Sequence, residues 1–117
     1  MSRSRDLTTG DHHVWELTDE PHAPDSITVL PPASYRQAFG DKPIRLGLIE
    51  FHILLCLASR PYYAFTRRQI ADAVAHDAAL VIDESNIDGH IATLRDQLGV
   101  LRDFVQTVPY VGYRYKA

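Results

Sequence analysis

From Ser85 to Leu98 the chain carries the pattern of a helix with one apolar side and one bare polar side. A tight hairpin pattern follows almost at once in FVQTVPYVGYRYK, Phe104 to Lys116. Ile87, Ile91, Leu94 and Leu98 recur at the i, i+4, i+7, i+11 spacing of a single helical face. Asn86, Gly89, His90, Thr93 and Gln97 lie away from that stripe. Ser85 with Asp88 three residues on reads as a capping box. Asp83, Glu84 and Asp88 suit the positive end of the helix dipole, and Gly99 suits the position just past the helix end. In the hairpin, Tyr113 and Tyr115 share one side of a strand and are expected to pack inward, with Tyr110 outward at the tip.

The rest of the chain reads as support for that pair of elements. Its 117 residues, 45% of them hydrophobic, suit one domain with a real core. Residues 1–26 are polar and irregular apart from Val14-Trp15, and read as a mobile tail whose Trp15 docks back; residues 27–117 read as the domain. Ile27 to Leu30 is β-prone and ends at Pro31-Pro32, which suits an edge strand. Ser34 to Phe39 and Lys42 to Leu46 read as a hairpin turning at Gly40-Asp41. A first helix is expected over about Gly47 to Ser59, apolar nearly all round and therefore central, stopped by Pro61. A second opens at Thr66, where Thr66 and Gln69 form a capping box, and ends near Ala75 to Asp77. The fold class this predicts is α+β: a winged helix-turn-helix with a small N-terminal antiparallel sheet, three helices and a C-terminal β-hairpin wing. In such a fold the last helix can enter a DNA major groove while the wing reaches the neighbouring minor groove.

Several functions are disfavoured. No apolar run is long enough to predict a membrane span, and MSRSRDLTTG lacks the apolar segment of a secretory signal. The single Cys56 has no internal partner and suits a reducing cytoplasm. The six His residues are dispersed with no metal-ligand spacing, so no metal site and no cofactor are expected. Cys56 sits in an apolar run as a small hydrophobe, and Glu50 near a helix start reads as a structural partner; no enzyme is predicted. Charge is the awkward fact, because 12 Lys plus Arg stand against 15 Asp plus Glu. Local clustering rather than net charge sets the field at a DNA surface.

LGLIEFHILLCLASRP, FTRRQIADAV, DESNIDGHIATLRDQLG and FVQTVPYVGYRYK together resemble the C-terminal effector domain of OmpR/PhoB-type response regulators. The resemblance rests on Glu50-Phe51, Thr66-Arg67, Asp88-Gly89-His90-Ile91 with Leu94-Arg95, and Thr107-Val108 with Gly112-Tyr113-Arg114. It covers residues 27–117 and implies a four-stranded N-terminal sheet, three helices and the wing. It implies a cytoplasmic transcription regulator of a two-component system that binds double-stranded promoter DNA. A second copy in tandem on DNA and RNA polymerase are the further partners it implies. By residue matching, Ser85, Asn86, Gly89, His90, Thr93 and Arg95 occupy recognition-helix contact positions, Arg67 and Thr107 occupy phosphate-contact positions, and Tyr110 and Arg114 lie on the wing. The family commonly carries Arg or Lys where this chain has Ser85, Ala92, Thr93 and Asp96, and a minor-groove Arg where it has Pro109. No receiver domain lies within these residues, and no phosphoacceptor Asp is assigned.

Chemistry sharpens some of these positions. Asn suits adenine and Thr suits a thymine methyl, which makes Asn86 and Thr93, with His90, candidate readers of base edges. Arg67 and Arg68 stand in the first turn of a helix, where the dipole disfavours cations, and this points to an anion partner. Arg95 can reach either a phosphate or the carboxylates of Asp88 and Asp96. From Asp83 to Gly99 four carboxylates face one guanidinium, a local charge of −3 with His90 neutral. That acidity, with Pro109, supports a rival reading: a winged-helix protein-interaction or dimerisation module that has lost DNA binding.

Overall fold

The computed structural model describes residues 14–18 and 25–117. Two antiparallel sheets flank a helical core. Strands β1 (Glu16–Leu17), β2 (Ser26–Leu30) and β3 (Ile44–Gly47) form the first sheet in the order β1-β2-β3. Strands β4 (Phe65–Thr66), β5 (Val105–Val108) and β6 (Gly112–Tyr115) form the second in the order β4-β6-β5. Between them lie α1 (Ala33–Phe39), α2 (Leu48–Ala58), α3 (Arg67–Ala78) and α4 (Ile87–Leu98). The expected winged helix-turn-helix of α+β class is present, with one helix more than the sequence suggested.

The N-terminal half departs from expectation in three ways. Ser34 to Phe39 is helix α1, not a strand. Pro32 stands at its N-cap, where a missing N–H costs nothing. Ala33, Arg36 and Gln37 are good helix formers. Gly40 ends α1 at φ +87° instead of turning a hairpin, and its N–H bonds the Arg36 carbonyl. Strand β3 then returns to pair with β2 in the register Ile27↔Leu46 and Val29↔Ile44. Secondly, β2 is central rather than an edge, because β1 pairs its other side through Glu16↔Leu30 and Leu17↔Val29. Its two prolines follow the strand and remove no ladder bond. Thirdly, the first sheet has three strands among the described residues, not four.

Much of the stretch read as a tail lies outside the described residues, but its described part is tied down. Trp15 is 6% exposed. Its indole Nε1–H donates to the Tyr115 hydroxyl at 3.1 Å. Its ring meets Phe104 edge-on at 6.4 Å, Tyr35 stacks on Phe104 at 4.2 Å, and Phe104 stacks on Tyr115 at 6.0 Å. This aromatic cluster joins the N-terminal segment, α1 and the base of the wing.

Helix α2 is the centre of the core. Phe51, Ile53, Leu54, Cys56, Leu57 and Ala58 are all buried, as an all-round apolar helix requires. Helix α3 opens with the expected capping box. The Gln69 N–H donates to Thr66 Oγ1 at 3.0 Å, and the Thr66 N–H donates to Gln69 Oε1 at 2.9 Å. It ends slightly later than expected, with Ala79 left-handed at φ +56°.

Candidate nucleic-acid interface

Helix α4 is laid down by its apolar stripe. Ile87, Ile91, Leu94 and Leu98 are each no more than 3% exposed. Burial of such side chains contributes roughly 1.5–3 kcal/mol apiece. At its far end, Gln97 Oε1 accepts the Gly47 N–H at 3.1 Å and pins α4 to the junction of β3 and α2. Asn86, Gly89, Ala92, Thr93 and Asp96 are left exposed along the opposite side. Among the described residues, neither the first sheet nor residues 14–18 cover that row.

The start of α4 differs from the expected Ser85–Asp88 capping box. The chain enters through a 3-10 turn over Glu84–Asn86, and the cap is Asp83, whose carboxylate accepts the Ser85 N–H at 3.1 Å. Asp88 is engaged elsewhere. It accepts Arg67 Nε at 2.7 Å and the hydroxyl of Tyr113. Those two bonds, Tyr113 first and Arg67 second, hold its carboxyl below the usual carboxylate range. Burial, then the same carboxylate, pushes the Tyr113 phenol up. One side chain of α4 thus joins the first turn of α3 to the wing. Arg68 lies 3.7 Å from Glu84 in an exposed pair. Within the described residues, the anion partners of the two arginines at the start of α3 are carboxylates at the start of α4.

The remaining site residues are positioned as follows. His90 turns its Nδ1 onto Glu50 Oε2 at 2.7 Å, and Glu50 is only 7% exposed in the first turn of α2. His90 therefore fastens α4 to α2. Thr93 is exposed, and its Oγ1 donates back to the Gly89 carbonyl at 3.1 Å. A Cβ built at Gly89 meets nothing within 4 Å, so the chain's own packing does not require glycine there. Arg95 pairs with neither Asp88 nor Asp96. It reaches across to the wing, donating Nε and Nη2 to the Val105 carbonyl at 3.1 and 3.0 Å and Nη2 to Thr107 Oγ1 at 2.8 Å. Because β5 is an edge strand, that guanidinium also covers an open main-chain acceptor.

The wing projects from this base. Tyr113 and Tyr115 are buried, 5% and 0% exposed, on the side that faces the core. Arg114, on the other side, donates Nε to Gln106 Oε1 at 2.8 Å and lies over the Tyr62 ring at 5.5 Å. Tyr110 sits at the tip at φ +67° and is fully exposed. Gly112 is required by close approach, since a Cβ there would fall on the Phe65 carbonyl of β4. Sequence reasoning missed Asp88 as the shared acceptor and the Glu50–His90 pair. Both join residues distant in sequence: Glu50 reads as a structural partner without His90 as its mate, and Asp88 as one carboxylate among several with Arg67 and Arg68 in need of an anion.

A capped helix α3, a connecting turn, a helix α4 with an open polar side, and a hairpin wing bonded to that helix define the winged-helix class. The sequence profile of the family described as "Transcriptional regulatory protein, C terminal" matches residues 41–115. The chain belongs to this family, the OmpR/PhoB-type DNA-binding domains of transcriptional regulators. It is 37% identical over 81 residues to the cholera toxin homolog transcriptional activator of Vibrio parahaemolyticus, a match covering 67% of this chain and 28% of that protein. It is 32% identical over 88 residues to the phosphate regulon transcriptional regulatory protein PhoB of Escherichia coli (strain K12), covering 74% of this chain and 38% of that one. The matched regions are therefore about a third of those relatives' lengths. Two solved structures share the fold at 21% identity. The C-terminal domain of the nisin resistance regulator NsrR aligns with a TM-score of 0.64 over 96% of this chain and 98% of that one. The DNA binding domain of response regulator AdeR, in complex with an intercistronic region, aligns with a TM-score of 0.57 over 88% and 94%. Among the described residues no helix is long and apolar enough to cross a membrane.

Proposed function

We propose that this domain binds promoter DNA sequence-selectively, with α4 in the major groove and the wing against the adjacent backbone or minor groove. The observation that carries this reading is the open row Asn86, Gly89 and Thr93 on a helix whose opposite stripe is fully anchored. Asn86 offers the paired donor and acceptor that match adenine, and the Thr93 methyl suits thymine. Ser85, exposed in the turn that enters α4, is placed against the DNA backbone through its hydroxyl, its N–H being taken by Asp83. Arg67 and Arg68 hold phosphates beside it. The Asp88 bond uses Arg67 Nε, and a guanidinium has five donors. Arg95 and Thr107 set the wing and face the same backbone, while Tyr110 and Arg114 serve the wing's own contact. His90 acts by holding α4 in place. Two copies in tandem, RNA polymerase as a further partner and a cytoplasmic setting complete the proposal.

The rival reading, an interaction module that has left DNA, has the pairing of Arg67 with Asp88 and Arg68 with Glu84 in its favour. Selection from random duplexes at low salt separates the two. DNA recognition yields an enriched sequence. Its affinity falls with salt along a log–log slope that shrinks by about 1 in Arg67→Ala, as for one phosphate contact. Asn86→Ala and Thr93→Ala relax the selected sequence at one position each. No retarded duplex, together with self-association of the chain, would refute the proposal.

A further inference from the structure

At the base of the wing lies an open groove of about 640 Å³ lined by Arg95, Arg102, Asp103, Gln106, Thr107, Arg114 and Lys116, beside the Val105 backbone. Four cations there face one carboxylate. Arg95 and Arg114 are held in place by Val105, Thr107 and Gln106. Arg102 and Lys116 are exposed and form no ion pair among the described residues. The fold accounts for Arg95 and Arg114 but not for Arg102 and Lys116, which add positive charge to the groove in a chain whose formal net charge is −3.

Resting on the DNA-binding reading above, we infer that this groove takes the sugar-phosphate backbone of the bound duplex where it runs on past the wing. Three observations carry the inference. First, the stretch Asp83 to Gly99 has a local charge of −3, so α4 draws phosphates poorly and the attraction must arise elsewhere. Second, the groove adjoins α4, since Arg95 of that helix lines it and bonds Thr107 on its β5 wall. Third, a cleft whose lining charge is mostly of one sign focuses its field, which makes four cations against the one carboxylate of Asp103 more effective in a groove than dispersed. The edge of β5 is closed to an added strand at Val105 by the Arg95 guanidinium, so the occupant is a charged backbone rather than a paired peptide.

The test is the salt dependence of binding by the full chain to its selected duplex, with Arg102→Ala/Lys116→Ala as the variant. Neither side chain supports the fold, so the variant is expected to melt with the wild type. Loss of two phosphate contacts reduces the log–log slope by about 1.8. The wild type's extra loss of affinity between 50 and 200 mM salt, about tenfold, disappears with it. Shortening the duplex on the wing side has the same effect on the wild type, and the selected sequence stays the same. An unchanged slope in the variant, with the wild type still selecting a sequence, would overturn the groove and leave the DNA reading standing. An unchanged slope with loss of binding to polyglutamate would assign the groove to an acidic protein segment and overturn the inference. A wild type that retains no duplex would overturn both.

Discussion

Trp15 lies in a polar, irregular stretch from which it is expected to dock back, and it is 6% exposed and part of the core. Its replacement by Ala should therefore behave as a core truncation. A buried Trp removes about 150–250 Å² from water, which at about 25 cal/mol/Å² corresponds to roughly 4–6 kcal/mol. Measured Trp-to-Ala changes in cores cost about 3–5 kcal/mol. The bond from Nε1 to the Tyr115 hydroxyl contributes on the order of 1 kcal/mol within that figure. Trp15→Ala is thus expected to lose about 4 kcal/mol, a large part of the ~5–15 kcal/mol that holds a domain folded. Trp15→Phe keeps an aromatic edge on Phe104, loses the N–H donor and some area, and should cost about 1–2 kcal/mol. Urea unfolding of the full chain followed by far-UV circular dichroism reads both variants. Trp15 is the only tryptophan, so native wild-type fluorescence independently reports its burial. A Trp15→Ala transition within about 1 kcal/mol of the wild type would refute the docking, since a loss that small belongs to surface positions. A native emission at the wavelength of a hydrated indole would refute it too.

Three further outcomes follow from single residues. Asp83→Ala should cost about 1 kcal/mol of stability and Ser85→Ala only a few tenths, because Asp83 supplies the cap; equal losses in thermal melts would reverse that assignment. Gly89→Ala should stabilise the free domain by about 1 kcal/mol, since a Cβ there meets open space in a helix interior, and should weaken the selected duplex; undiminished affinity would remove Gly89 from the interface. The Cys56 thiol is pushed up to about 11, first by burial and then by the charge of Asp77. A folded value raised above the ordinary 9.0 gives stability that is whole below pH 9 and declines as pH rises toward 11, because the unfolded chain loses its proton first. Alkylation at pH 8 should accordingly wait on unfolding, and rapid labelling of the native chain would contradict the burial.

Legibility followed the range of the interactions. The α4 stripe, the Thr66–Gln69 box and the wing tyrosines were readable because each is fixed by residues within a turn or two of one another. Ser34 to Phe39 reads as a strand because Gly40-Asp41 after it has the look of a hairpin turn, whereas Gly40 in fact ends a helix. Its helical state depends on Pro32 at the start and on Tyr35 stacking against Phe104, nearly 70 positions away. Trp15 and Glu50 have partners 100 and 40 residues distant; the sequence marks Trp15 as docking back and Glu50 as a structural partner, but no local pattern names Tyr115 or His90 as the mate. Arg95 was assigned a phosphate or a nearby carboxylate; its bonds to Val105 and Thr107 required knowing that the wing folds back beside α4.

The acidity of the recognition segment then takes on a definite physical meaning. Its ion pairs with Arg67 and Arg68 are exposed, and pairs of that kind contribute about 0–1 kcal/mol to stability. They are therefore poorly explained as devices for holding the fold. In the proposed complex with DNA their larger effect is on binding, because each carboxylate offsets the charge of a cation that would otherwise attract any phosphate indiscriminately. Non-specific affinity is almost wholly electrostatic, whereas base-edge contacts are not. A domain arranged in this way loses more on random DNA than on its own site. The comparison that bears on this is the ratio of specific to non-specific affinity. Replacing Glu84 by Gln frees Arg68 without touching Asn86 or Thr93, so it should tighten binding to random duplexes more than to the selected one. Equal tightening on both would mean that the acidic residues only weaken the domain and do not sharpen its choice.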